Sequence, residues 1–321
     1  MPNQIAATCT IRIAPDWLPN TNHIGLYVAD ALGYYADAGL RLDMLPFDDE
    51  AMPNRKIVAG ETDFGLMPQQ SILSMRARGV DVVSVAALVQ PNTTTLAVRA
   101  ESGIARPADF AGRRYASYGT DFEVAMVEHM IRADGGTGAP ELAPVEKLDI
   151  LPALYSGDID ILWGFYAWEG IQAELAGQAL RHFFVAKSGV PHEYFPLLFT
   201  TRAHIEDDRR TVAAFVGATM RGYARAARHP NEAADIFLRA VSPDILPDHA
   251  DELVRRSLSW LAPRLNGALD GRALQRPWGW HDPAQWAAFA AFIRRLARER
   301  GLPEPPRGAE SGGYTNEFVS L

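Results

Sequence analysis

The segment Asp16-Trp17-Leu18-Pro19-Asn20-Thr21-Asn22-His23 gathers a carboxylate, an indole, amides and an imidazole into one short loop. These side chains suit a flat nitrogen heterocycle, which needs a π-face to stack on and fixed donors and acceptors along its edge. Asp16, Trp17, Asn22 and His23 are therefore candidate ligand-binding residues. Asn22 could equally cap the following helix, and His23 could pack behind it. A single histidine without spaced partners does not make a metal site, and no metal ligand is assigned.

Three more segments carry polar or aromatic groups at strand-to-helix transitions. Trp163-Gly164-Phe165-Tyr166-Ala167-Trp168-Glu169 offers Phe165 and Tyr166 as a second aromatic plate and Glu169 as a second carboxylate, with Gly164 permitting close backbone approach. Ser117-Tyr118-Gly119-Thr120-Asp121-Phe122-Glu123 contributes Tyr118 and reads as a capping box between Thr120 and Glu123. Asp121 and Glu123 in the first helical turn would repel a phosphate, so a neutral or cationic ligand fits better. Gly65-Leu66-Met67-Pro68-Gln69-Gln70-Ser71 supplies amide side chains, with Gln69 as the candidate. No glycine-rich nucleotide fingerprint, P-loop, nucleophile elbow or HExxH motif is present, so no catalytic residue is assigned.

The elements that must position these loops alternate between β-like runs and amphipathic helices, the pattern of a parallel sheet covered by helices. Strands are expected over 10–14, 40–47, 62–66 and 80–89, with helices over 23–38, 53–59 and 69–78. A second alternating block has strands over 94–99, 114–117, 159–163 and 197–201. A helical turn is expected over 107–110 and helices over 121–132 and 168–175, while Leu148 and Ile150 read as strand or loop. Helices follow over 205–228, 230–240, 250–261 and 283–300, and 303–313 reads as a surface loop. Two blocks imply two lobes with a ligand cleft: residues 1–91 and 199–321 in lobe 1, residues 92–198 in lobe 2, joined by crossover strands at 89–94 and 195–201.

Composition narrows the function. The 321 residues are 48% hydrophobic and carry a formal net charge of −8, which suits a globular protein and disfavours nucleic-acid or anionic-membrane surfaces. The lone cysteine, Cys9, excludes an internal disulfide framework. No apolar stretch is long enough for direct membrane insertion. The first residues have neither a basic start nor an apolar core, so an extracytoplasmic (periplasmic) location is expected if a leader was removed and a cytoplasmic one if Met1 is the native start.

At Asp16-Trp17 through His23, with Gly25, Tyr27, Val28, Gly33-Tyr34-Tyr35 and Gly39-Leu40, the chain resembles the thiamine-pyrimidine family. This family holds the formylaminopyrimidine-binding proteins of bacterial ABC importers and the thiamine pyrimidine synthases. The likeness continues through 60–65, Arg78-Gly79, 163–169, Trp278-Gly279-Trp280 and the closing Tyr314-Thr315-Asn316-Glu317-Phe318. It implies an α/β type II periplasmic-binding-protein fold and a pyrimidine pocket made by Asp16, Trp17, Phe165 and Glu169, with Trp17 stacking against Phe165 or Tyr166. A tyrosine expected in importer relatives after the 62–66 strand appears as Pro68. The resemblance further implies an ABC permease as partner. The synthase branch draws on pyridoxal phosphate, iron, a lysine, a histidine and a cysteine motif. Here the corresponding positions are Met67, Ser71 and Pro191-His192-Glu193-Tyr194-Phe195, so synthase activity and a cofactor are not expected. Alternatives are a synthase-type enzyme, or a binding protein for a flavin or a sulfonate; the acidic pocket candidates count against sulfonates.

Overall fold

Short buried strands and the helices between them build the first part of the chain: β1 (Cys9–Ala14), α1 (Ile24–Ala31), α2 (Tyr34–Asp37), β2 (Leu40–Met44), α3 (Pro53–Val58), β3 (Phe64–Met67), α4 (Gln69–Ala77) and β4 (Val82–Ala87). The computed structural model describes residues 9–47, 52–120, 122–143, 150–306 and 312–319. The readings made for Asp121, for Leu148 and for residues 307–311 lie outside the described residues. The chain continues with β5 (Thr94–Arg99), β6 (Arg114–Ala116), α5 (Glu123–Ala133), β7 (Glu141–Ala143), α6 (Ile150–Ser156), β8 (Leu162–Phe165), α7 (Ile171–Leu175), β9 (Leu180–Phe184) and β10 (Leu197–Thr201). The rest is helical: α8 (Arg202–Asp207), α9 (Arg209–Arg228), α10 (Pro230–Ala240), α11 (Ala250–Leu261) and α12 (Pro283–Arg300).

The first sheet has the order β2-β1-β3-β10-β4; β1 runs parallel to β2 and β3, whereas β10 runs antiparallel to β3 and β4. All six residues of β4 are buried although it ends the sheet. Its outer edge is covered, because Ser84 exchanges backbone hydrogen bonds with Gly313 and Thr315 near the C-terminus. An apolar edge strand left open would invite pairing with another chain. The second sheet, β8-β5-β9, is antiparallel throughout, and β6 pairs in parallel with β7 beside it. The expectation of parallel strands in the second block fails because β8 and β9 return to β5 from opposite sides, a long-range pairing that local patterns do not encode.

Several boundaries differ for identifiable reasons. The helix expected over 23–38 breaks at Gly33, whose φ of 72° is left-handed and is easily adopted only by glycine. Ile150 opens a helix rather than a strand. Asp208 ends α8 and its side chain accepts from the Thr211 N–H at 3.2 Å, starting α9, so the helix expected over 205–228 is two. Of the span expected for the return crossing, 195–201, only Phe195 and Pro196 precede the first sheet, since Leu197–Thr201 is already its strand β10. The two crossing segments touch: the Asn92 N–H donates to His192 Nε2 at 3.1 Å, and the Leu88 N–H to the Pro196 carbonyl at 3.1 Å. One core surrounds Phe64, Tyr35 and Phe215; another surrounds Phe110, Phe122 and Phe289. Helix α12 serves both sides, with Trp286 packed beside Tyr194 and Phe199 while Phe289, Ile293 and Leu296 join the core of the second sheet.

Helices α1 and α9 approach through glycines. A Cβ on Gly222 would lie 2.0 Å from the Gly25 carbonyl oxygen, and one on Gly25 would lie 2.0 Å from the Tyr223 ring. The same Tyr223 donates its hydroxyl proton to the Asn22 carbonyl at 2.6 Å, tying the helix pair to the loop after β1. Gly222→Ala should therefore destabilise the protein by about 1–3 kcal/mol or more through overpacking. In the same helix, Gly217 has nothing within 4 Å of an added Cβ, so Gly217→Ala should be neutral or stabilising by up to about 1 kcal/mol. Thermal and urea melts decide, and equal losses in the two variants would contradict this packing.

Candidate functional site

A cavity of about 560 Å³ opens between the strand ends of the two sheets, within the usual size for a small-molecule site. Its walls come from the loop after β1, helix α3, the β3–α4 junction, the loop before α5, and the β8–α7 junction. Of the nine residues singled out in the sequence, Asp16, Trp17, Asn22, Tyr118, Phe165 and Glu169 line it; His23, Gln69 and Tyr166 do not.

Asp16 sits where β1 ends, with Oδ1 2.7 Å from His23 Nε2. His23 is 1% exposed, so it backs Asp16 from behind the wall instead of meeting a ligand. Asn20, not Asn22, caps the turn that follows, its side-chain oxygen accepting from the Asn22 N–H at 2.9 Å. That leaves the Asn22 side chain facing the cavity.

Trp17 packs between Phe47, at 5.0 Å, and Tyr118, edge-on at 5.7 Å. The contact with Tyr118 joins the first loop to the second half of the molecule. Of the two residues expected to face Trp17 as a second plate, Phe165 lines the cavity and Tyr166 does not. Phe165 meets Phe195 edge-on at 5.0 Å, and Phe195 lines the cavity from the return crossing. Tyr166 turns away: its ring lies against Trp260 and His182, and its hydroxyl donates to Glu174 Oε1 at 2.9 Å. A one-residue step along the turn sends neighbouring side chains to different faces, and Trp260 of α11 offers Tyr166 an apolar platform there.

Glu169 lies in a π-helical turn, Tyr166–Gly170, between β8 and α7. Its Oε2 accepts the Phe165 N–H at 2.8 Å. Gly164 makes this possible, because a Cβ there would sit 3.0 Å from that oxygen. Among the described residues no cation pairs with Glu169, and desolvation pushes its carboxyl up to about 7, partly opposed by the Phe165 hydrogen bond. The Tyr118 hydroxyl, donating to the Trp163 carbonyl at 2.9 Å, is itself raised well above the usual phenol range by burial and then by the nearby Glu169 charge.

At the start of α4 the functional amide is the neighbour of the one expected. Gln69 is wholly buried, its side chain spanning the Tyr194 N–H at 3.3 Å and the Trp286 carbonyl at 3.2 Å, so it holds α4 to the return crossing. Gln70 lines the cavity, and its side-chain oxygen is buried without a hydrogen-bond partner, an acceptor left open for a ligand donor. The capping box expected from Thr120 is altered: the Thr120 hydroxyl accepts from the Glu123 N–H at 3.4 Å, while the Glu123 carboxyl folds back over the loop to accept from Ser117, Gly119 and Thr120. Met67 and Ser71, which stand at the positions the resemblance gives to a synthase's lysine and histidine, both line the cavity. A thioether cannot form an imine with pyridoxal phosphate, so these residues do not fit that cofactor.

A family model described as "NMT1/THI5 like" matches residues 20–233. The chain is 26% identical over 284 residues to the formylaminopyrimidine-binding protein of Halalkalibacterium halodurans, covering 86% of each. It is 23% identical over 257 residues to the 4-amino-5-hydroxymethyl-2-methylpyrimidine phosphate synthase of Legionella pneumophila, covering 79% of this chain and 81% of that one. Among solved structures, the alkanesulfonate-binding protein SsuA of Xanthomonas axonopodis pv. citri bound to MOPS superposes with a TM-score of 0.69 at 14% identity, covering 97% and 99%. A conserved Candida albicans protein with the generic periplasmic binding protein fold does so with a TM-score of 0.66 at 12% identity, covering 97% and 98%. The architecture is the α/β periplasmic-binding-protein fold, and the chain belongs to the NMT1/THI5-like family.

Proposed function

We propose that this protein is the substrate-binding component of an ABC importer and clamps an aminopyrimidine related to the thiamine precursors. The observation that carries the reading is convergence: Asp16 and Trp17 from the first sheet's loops face the same cavity as Tyr118, Phe165 and Glu169 from the second. An exocyclic amine donating to Glu169 or Asp16, and a ring held against Trp17 and Phe165, would contact both lobes at once. Such contacts are complete only when the lobes close, which is how a two-lobed receptor converts ligand chemistry into a shape a permease can read. The pyrimidine named for the Halalkalibacterium relative fits this chemistry. A synthase reading is weaker, because Met67 and Ser71 supply neither an amine nor an imidazole to the cavity. A protein that develops no imine absorbance with pyridoxal phosphate agrees with the binding role.

Calorimetry with formylaminopyrimidine, hydroxymethylpyrimidine and thiamine tests the assignment. Glu169→Gln should weaken binding roughly 10- to 100-fold, the loss of one charge-assisted hydrogen bond, and Trp17→Ala by roughly tenfold. No heat and no thermal shift with any of the three would sink the proposal.

A pH dependence follows from the desolvated Glu169 carboxyl. Glu169 titrates at about 7 in the folded chain against 4.5 for an ordinary glutamate, so the folded state holds an extra proton between those values. Its contribution to stability is complete below pH 4.5 and is lost as the pH rises through 7, on the order of 3 kcal/mol in total. A ligand amine favours the ionised form, so affinity should rise roughly tenfold between about pH 6 and pH 8. The Glu169→Gln variant should flatten both curves; a wild-type profile that it fails to flatten assigns the titration to Glu123, which shares the cavity and whose carboxyl is also raised by burial.

A further inference from the structure

Glu123 opens α5 and lines the cavity while only 2% exposed. Its carboxyl lies across the loop preceding its own helix. The Ser117 hydroxyl and the Gly119 N–H, the latter at 3.2 Å, donate to Oε1, and the Thr120 hydroxyl donates to Oε2 at 3.1 Å. Gly119 holds a left-handed φ of 72°, which brings its N–H into this set. Hydroxyls and a backbone N–H gathered ahead of an eleven-residue helix form the usual cradle for a phosphate or sulfonate oxygen. In this chain the cradle is filled from within.

We propose that Glu123 is a specificity-determining residue, a built-in carboxylate that occupies the anion cradle so that the site takes the free pyrimidine and rejects its phosphate ester. The inference rests on the reading of the cavity as the pyrimidine site. Burial raises the Glu123 carboxyl, while its hydrogen bonds from Ser117, Thr120 and the loop backbone pull it down. As a carboxylate its two oxygens hold the donors, and a phosphoryl group would have to displace it. Asp16 and Glu169 line the same cavity and add like charge against an anionic substituent. The Gly119 N–H is shared with the Ser117 hydroxyl oxygen at 3.0 Å, so removing the Glu123 carboxyl frees chiefly the Ser117 and Thr120 hydroxyls for an incoming anion.

The test compares 4-amino-5-hydroxymethyl-2-methylpyrimidine with its phosphate ester by calorimetry on wild type, Glu123→Ala and Glu123→Gln, with inorganic phosphate as a separate probe in thermal melts. Wild type should bind the free alcohol at least tenfold more tightly than the ester. Glu123→Ala should shift that ratio towards the ester by tenfold or more, and phosphate should raise the melting temperature of this variant but not of wild type. Glu123→Gln, which keeps the shape and should fold even if the alanine variant does not, should shift the ratio in the same direction by a smaller factor. A folded variant with an unchanged ratio, or a wild type that prefers the ester, overturns the proposal. If no form binds either pyrimidine, the proposed ligand class falls, and the phosphate melts still judge Glu123: stabilisation of Glu123→Ala alone supports the filled cradle, and its absence refutes it.

Discussion

Glu169 lies half-buried in the cavity wall, with backbone N–H groups, that of Phe165 at 2.8 Å among them, as its donors and, among the described residues, no cation to neutralise it. Desolvating an ionised carboxylate without a partner is costly, and a protein usually relieves the cost by moving the pKa or by supplying a counter-charge. Here the pKa moves up to about 7, so the carboxyl changes charge near neutral pH, where a ligand donor can draw it into its ionised form. Gly164 lacks the Cβ that would crowd the carboxyl, and the π-helical turn between β8 and α7 carries it back over its own strand end. The same turn buries Trp168 against Phe237, and it leaves the Glu169 carboxyl turned to the cavity, where a donor can reach it.

Among the described residues three carboxylates face this cavity, and each is handled differently. Asp16 is held by His23, Glu123 by the hydroxyls and N–H of its own loop, and Glu169 by the shift of its pKa. Two of the three thus have their hydrogen-bonding largely met by the fold, while Glu169 and the open oxygen of Gln70 retain capacity for a ligand. The polar demand of the site is consequently for donors, beside the aromatic faces that Trp17, Phe165 and Phe195 contribute to its walls. Its rigidity comes from further back. Tyr223 pins the Asn22 carbonyl from the tightly packed α1–α9 pair, and Gln69 pins α4 to the return crossing, so the cavity-facing groups are mounted on the core.

Much of this was legible in the sequence wherever local chemistry decides structure. β5, β10, α10, α11 and α12 occupy the spans expected of them, because proline or glycine, caps and apolar periodicity agree at their ends. The loop after β1 was recognisable for the same reason, and Asp16, Trp17 and Glu169, singled out by residue type at strand-to-helix transitions, line the cavity. What failed depends on distant partners. The apolar pattern of α1 runs on through Tyr34 and Tyr35, hiding the break at Gly33. β9 is only half-buried, so its alternation is weak, and its pairing with β5 spans most of the second sheet's sequence. Tyr166 left the site because Trp260, far along the chain, gives it somewhere better to pack, and Gln70 replaced Gln69 because a helix turns its successive side chains apart.

The fold by itself would have pointed elsewhere. The superposition on a sulfonate-binding protein covers almost the whole chain, yet at 14% identity it speaks only for architecture. A sulfonate carries a permanent negative charge and needs N–H, hydroxyl or cationic donors turned towards it. In this cavity the best such donor set, at Ser117, Gly119 and Thr120, is already closed by Glu123, and Asp16 and Glu169 present further acceptors on the facing walls. An anion entering here would lose its hydration shell and meet oxygens, whereas an amine-bearing ring exchanges water for carboxylate and amide acceptors and for aromatic faces. Ligand choice in such a receptor is therefore set by a few side chains at strand ends, while the sheets behind them only fix how far apart those side chains stand.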